Sequence, residues 1–294
     1  ALALRHGIHD HHRSGGTRMS NDSAPKIVLL TGRDELSNIV YHALTEIADV
    51  AAVIQEDPPS KIRLAKRRVK RVGLLRVADQ VLFIAIAAPI LKRTSVGRVE
   101  AIRAHSGMDA TPIPSRIVQP VPTINHPSVI EALRAHRPDV VVINGTRIIA
   151  RRVLECVDAP FINTHTGITP AYRGVHGGYW ALAEGRPELA GVTVHFLDTG
   201  IDTGAVIAQA LIRPGPRDNF HTYPTLQLAA GLPFVSEDHV LFAELDCFSE
   251  MRVGERHLES RVQFQTRPNR QHNDKCDPDT GENMVRGCVH VMAC

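Results

Sequence analysis

Aromatic residues are scarce in this 294-residue chain: one Trp, four Tyr and eight Phe make up 4% of it. Any core must therefore be built from Val, Ile, Leu and Ala, which favours a buried sheet flanked by helices. An excess of one charge sign is also missing, since 34 Lys and Arg stand against 31 Asp and Glu for a formal +3. That balance makes no demand for a nucleic-acid partner. Long apolar runs are absent as well. The most apolar stretch, residues 81–91, contains Pro89 and falls short of the roughly 20 residues a bilayer requires. No membrane span is expected, and the run reads as a buried helix or hairpin segment. Cysteine is sparse and odd in number: Cys156 stands alone, and Cys247, Cys276, Cys288 and Cys294 lie near the end. This excludes a regular disulfide framework and suits a reducing cytoplasm.

What is present is ordinary globular usage, 43% hydrophobic and 22% charged, unlike a disordered chain. The segments are not alike, however. Residues 1–25 read as a disordered leader, with His, Arg and Gly in place of the apolar stretch of a secretory signal. Residues 26–240 read as one α/β domain, and residues 241–294 as a polar, poorly ordered tail. The tail cysteines and His290 match no paired C-x-x-C zinc arrangement, so no metal is assigned. Residues 61–71 carry seven Lys and Arg and no acid. Without interleaved aromatics they read as a solvated helical face rather than a nucleic-acid contact.

From Lys26 the pattern becomes regular. A buried strand over 27–31, a turn at Gly32, a helix over 36–47 and a strand over 50–55 form a βαβ unit with a parallel sheet. A helical stretch is expected over 72–106, ended or kinked at Pro89. A second series follows: a start near Val121, a helix over 128–136, a strand over 139–143, a helix over 148–156 and a strand over 161–165. Residues 191–197 and 205–212 alternate as a looped hairpin, and a helix over 223–230 completes the domain.

The chemistry sits where these strands end. Asn163 and His165 are two apart on a strand, so their side chains share a face. Asp202, in a loop flanked by glycines, can approach the imidazole. Together they supply an amide donor, a proton carrier and a carboxylate to orient it. No Ser or Cys occupies a nucleophile elbow, so hydrolysis or acyl transfer here would need water or the substrate as nucleophile.

The linked motifs Asn163-x-His165, Pro170-x-x-Arg173-Gly174, Gly191-Val-Thr-x-His195 and Asp198-x-Gly-x-Asp202-Thr-Gly204 resemble the folate-dependent formyltransferase family, whose members act on glycinamide ribonucleotide, methionyl-tRNA or amino sugars. The resemblance covers about residues 26–235 and is densest over 139–209. It implies a Rossmann-like, mostly parallel α/β sheet with flanking helices. It also implies an enzyme that moves a formyl group from 10-formyltetrahydrofolate, as cosubstrate, to a primary amine. Asn163, His165 and Asp202 match the family's catalytic positions, with Asn163 and a protonated His165 holding an oxyanion and Asp202 orienting His165. Gly145, Arg147, Ile148, Leu197 and Asp198 fall in the segments implied to line the folate cleft, and Arg147 and His195 also match family positions.

Two departures bear on the acceptor. The loop after the first strand, Gly32-Arg33-Asp34-Glu35, is acidic where a substrate phosphate would sit, which disfavours glycinamide ribonucleotide. The tail shows no even strand-and-turn pattern for the barrel domain of the tRNA enzyme. The expected partner is a small amine, such as an amino sugar nucleotide, with no membrane or nucleic acid involved and a homo-oligomer left open. The alternatives are glycinamide ribonucleotide or methionyl-tRNA formylation, or a noncatalytic homologue that binds folate.

Overall fold

The computed structural model describes residues 24–60, 70, 81–236 and 290–291. The expectations for the leader, for most of the basic stretch 61–71 and for most of the tail, its cysteines included, lie outside these residues. In the described part, β1 (Lys26–Thr31), β2 (Asp49–Glu56), β3 (Val118–Val121), β4 (Val140–Asn144), β5 (Phe161–His165), β6 (Gly191–Phe196), β7 (Val206–Leu211) and β8 (His290–Val291) form one sheet. Its order is β3-β2-β1-β4-β5-β6-β7-β8. The pairs from β3 to β5 are parallel, and those from β5 to β8 antiparallel. The expected Rossmann-like, mostly parallel sheet is what the chain forms.

Both faces of the parallel half are covered, which explains its uninterrupted Val, Ile and Leu runs. Alternation divides each strand between two cores. Ile27, Leu29, Val140 and Val142 pack with α1 (Glu35–Thr45), α3 (Val96–His105) and α7 (Tyr223–Gly231). Val28, Leu30, Val141 and Ile143 pack with α4 (Pro127–His136) and α5 (Arg151–Leu154). Helix α7 is apolar around most of its surface and buried along seven of its nine residues, as expected of a helix wedged between layers.

Two expectations need correction. The helix expected over 148–156 is only the single turn α5. Asn125 accounts for the loss, because its side chain donates to the Ile148 carbonyl (2.9 Å) and accepts from Ala150 N (2.6 Å), holding 148–150 as a loop. The apolar run 81–91 is helical, as a π-helical turn (Phe83–Ala87) leading into α2 (Ala88–Thr94), with Pro89 in the first turn. It is not buried: Ile84 is 66% exposed, and Leu82, Ile86 and Ile90 are more than half exposed. Among the described residues no helix is long and apolar enough to cross a membrane.

Candidate active site

The site forms where β5 meets β6. Antiparallel register places Asn163 opposite His195 and His165 opposite Thr193, so the i, i+2 pair on β5 gains a second imidazole from its neighbour. Asn163 Nδ2 donates to His195 Nε2 (3.3 Å), and His195 Nδ1 donates to the Phe196 carbonyl (2.8 Å). A carbonyl can only accept, so the second bond sets the tautomer and leaves Nε2 as the acceptor Asn163 needs. His195 is 1% exposed. Burial pushes its imidazole below the usual histidine value, against the raising pull of the Phe196 carbonyl and the Asp202 carboxylate, while nearby His165 lowers it further. The neutral ring fits its role as acceptor.

His165, 6% exposed, is held from both sides. Its Nε2 donates to the Tyr172 carbonyl (2.8 Å), and its Nδ1 faces Asp202 Oδ2 at 3.4 Å, a line along which a proton can pass. Asp202 comes from the β6–β7 connection, which starts beside Phe161 through the Leu197 N to Phe161 O bond (2.8 Å) and folds back over the sheet. The Asp202 backbone is left-handed, φ +49°, a conformation Asp tolerates better than most residues. Gly174 N donates to Asp202 Oδ2 (2.9 Å), and Asp202 Oδ1 lies 3.7 Å from His195 Nε2. One carboxylate thus meets both imidazoles. The structure brings Asn163, His165 and Asp202 together as the sequence pattern requires.

A cavity of about 450 Å³ opens over this cluster, bounded by residues 143, 145–149, 163–166, 174–175, 197–198 and 200–202. All five residues expected at the folate cleft, Gly145, Arg147, Ile148, Leu197 and Asp198, line it. Glycine suits position 145, since its φ is +66° and the Asp34 carboxylate lies 3.3 Å from where a Cβ would stand, so any other side chain would be strained there. Asp198 is turned to its own loop, accepting from Gly200 N (2.9 Å) and Thr203 Oγ1 (2.6 Å).

Arg147 is engaged by the protein itself. Its Nε meets Glu56 Oε2 (2.9 Å), its backbone N meets Glu56 Oε1 (2.6 Å), and its Nη2 donates to the Asp57 and Pro122 carbonyls (2.6 and 2.9 Å). Glu56 also accepts from Ile124 N (2.9 Å). This brace ties the cavity wall to the end of β2. Glu56 carried no sequence signal beyond being an acid at a strand end. Among the described residues no cluster of three or more His, Cys, Asp or Glu could hold a metal ion.

An open α/β sheet with an Asn–His–His–Asp cluster facing a cavity near the carboxyl ends of β4 and β5 defines a Rossmann-like protein with an acid–base site. Residues 92–224 match the formyl transferase family model. The chain is 33% identical over 121 residues to a methionyl-tRNA formyltransferase of Chlorobium chlorochromatii (strain CaD3), covering 39% of this chain and 38% of that protein. It is 37% identical over 123 residues to a phosphoribosylglycinamide formyltransferase of Mycobacterium tuberculosis (strain CDC 1551 / Oshkosh), covering 38% and 57%. The matched stretch thus spans less than two thirds of either relative. Among solved structures, glycinamide ribonucleotide transformylase 1 from Symbiobacterium toebii shares the fold, with TM-score 0.50 and 20% identity over 79% of this chain and 93% of that one.

Proposed function

We propose that the protein transfers a formyl group from 10-formyltetrahydrofolate to the primary amine of a small acceptor, with an amino sugar nucleotide as the acceptor class. The observation that carries this reading is the convergence of Asn163, His165, His195 and Asp202 on one cavity. Its volume falls in the range of small-molecule sites. Its walls are mainly apolar side chains and loop backbone, which suits a flat pterin ring. When bound, the donor supplies the formyl carbon that the acceptor nitrogen attacks.

Each residue then has a task that its contacts support. Asn163 spends one N–H on His195 and keeps the other to hold the negative charge that develops on the formyl oxygen. A preorganised donor of this kind is worth about 10²–10³ in rate. Asp202 takes the proton shed by the amine as it becomes an amide, directly or through water, and can pass it along the 3.4 Å line to His165 Nδ1; collapse of the tetrahedral adduct breaks the bond between the formyl carbon and N10 of the donor, and N10 takes up that proton so that tetrahydrofolate leaves neutral at that nitrogen. His195, neutral and fixed at both nitrogens, keeps the Asn163 amide turned the right way. The expected role of His165 as an oxyanion donor is narrowed, because its Nε2–H is already engaged by Tyr172.

The acidic first loop supports an acceptor with no phosphate at that position. Asp34 caps α1, its Oδ1 accepting from Ser37 N and Ser37 Oγ (both 2.7 Å), so a carboxylate stands where an anion would otherwise bind. The test is to incubate the protein with 10-formyltetrahydrofolate and a panel of primary amines and follow tetrahydrofolate by absorbance. Turnover with at least one amine is expected. No turnover with any amine, alongside retained donor binding, replaces this reading with that of a folate-binding homologue.

A further inference from the structure

In a chain so poor in aromatics, the only Trp and several other rings gather on one surface beside the catalytic loop. The Phe220 ring lies 4.8 Å from His176, 5.3 Å from Tyr179 and 5.4 Å from Phe83, and Tyr179 lies 5.2 Å from Trp180. These rings are not sealed into a core. Trp180 is 51% exposed, and Phe83, Tyr179 and His176 are also exposed.

Their placement follows from two glycines. α6 (Gly177–Ala183) begins directly on the loop after β5, and a Cβ on Gly177 would stand 2.7 Å from Gly167 Cα and 3.0 Å from the Thr166 carbonyl. Gly178 is filled from the other side by Gln227, which donates to the Gly191 carbonyl (2.6 Å). Gly177, Gly178 and Ala181 therefore face inward, and Tyr179 and Trp180 face out. The inward anchor is the catalytic loop itself: Gly167 packs against the His165 ring, and Gly174, two residues before His176, holds Asp202. Arg173, which precedes Gly174 in the same loop, is exposed and forms no ion pair with any other described residue. An open ring surface and an uncommitted cation thus adjoin the reacting groups.

We propose that His176, Tyr179, Trp180, Phe220 and Phe83, with Arg173, form the acceptor's recognition subsite, and that the ligand it takes is a nucleoside diphosphate, its base stacked on the rings and its phosphates on Arg173. This rests on the proposed transfer to a nucleotide-linked amine and locates the part of that acceptor remote from the amine. Exposed rings have π-faces for any base, Arg pairs with phosphate through a planar fork, and Gly174 and Val175, which lie between Arg173 and His176 in the chain, line the cavity.

Trp180 as the single Trp makes the test direct. The full chain is titrated with UDP, dTDP, GDP and ADP while Trp fluorescence is recorded, with inorganic pyrophosphate and ribose 5-phosphate as ring-free controls. At least one nucleotide is expected to change the fluorescence saturably, and the controls are not. Tyr179→Ala should weaken binding tenfold or more. Arg173→Ala should do the same at low salt with a smaller effect at high salt, and Arg173→Lys should restore part of it. Unchanged thermal melts and donor affinity show that the variants remain folded. Silence with all four nucleotides at millimolar concentration, equal response to pyrophosphate, or binding indifferent to Tyr179→Ala overturns the subsite. Self-association of the chain in place of nucleotide binding also overturns it. Nucleotide binding without transfer to any amine would refute the transfer reading and leave the subsite standing; transfer to simple amines with no nucleotide response would do the reverse.

Discussion

Replacing Glu56 by Gln tests how the cavity wall is held. The carboxylate is 4% exposed and accepts three hydrogen bonds, from Ile124 N, Arg147 N and Arg147 Nε. A glutamine keeps one acceptor oxygen and turns an NH2 toward at least one of these donors. Removing one partner of a buried ion pair costs about 3–5 kcal/mol, and a hydrogen bond to a charged group contributes about 1.5–3 kcal/mol. Here the Arg147 side chain is 37% exposed and retains the Asp57 and Pro122 carbonyls, so solvent takes up part of the orphaned charge. A loss of about 2 kcal/mol follows, a drop near 1 M in the urea midpoint at a slope of about 2 kcal/mol per M. The proposed catalytic groups lie on β5, β6 and the 197–205 connection, and the brace contacts named above involve none of them. The formyl donor's KM should therefore rise about tenfold, with kcat within about threefold, if the wall contributes to binding in both ground and transition states. Replacing Glu56 and Arg147 together by Met should recover stability relative to Glu56→Gln, since no buried charge is then left unpaired. A Glu56→Gln protein whose urea midpoint and donor KM both equal the wild-type values would refute the brace.

Three other outcomes are expected. Asp202→Asn keeps an oxygen for Gly174 N and so keeps the fold, but loses the proton acceptor; kcat should fall about 10²–10⁴-fold with donor KM little changed, and a kcat within tenfold of wild type would remove Asp202 from proton transfer. Burial holds His195 below its usual value, so the unfolded chain binds a proton that the folded chain refuses. The stability this contributes is complete above the unfolded histidine value of about 6.5 and is lost as pH falls from there through the lower folded value. Urea midpoints should decline on that acid side, and His195→Gln should flatten the decline without abolishing it, because His221 is lowered by burial too; an unaltered profile in His195→Gln counts against the buried neutral ring. Gly177→Ala forces a Cβ to within 2.7 Å of Gly167 Cα, an overpacking of about 1–3 kcal/mol that should lower the melting temperature; an unchanged melt would show that the loop and α6 are not in rigid contact.

Local rules carried the elements well. Uninterrupted apolar runs placed β1, β2 and β4, and the 3.6-residue period placed α1, α4 and α7 to within a residue or two, since the apolar face of a helix must repeat with its turn. They failed where a distant partner decides the outcome. Residues 148–150 have helical spacing but are held as a loop by Asn125, 23 to 25 residues away. The apolar run 81–91 signalled burial because composition alone does not say whether any layer lies above it.

The same division runs through the site. The sequence by itself determined that Asn163 and His165 share a face, because strand side chains alternate with period two, and that Asp202 sits in a glycine-flanked loop able to turn. Only the tertiary structure decided that His195 lies opposite Asn163, that Asp202 folds back to meet both imidazoles, and that Arg147 is spent on Glu56. Those facts depend on strand register and on contacts spanning up to 91 residues, and neither is encoded in any local spacing.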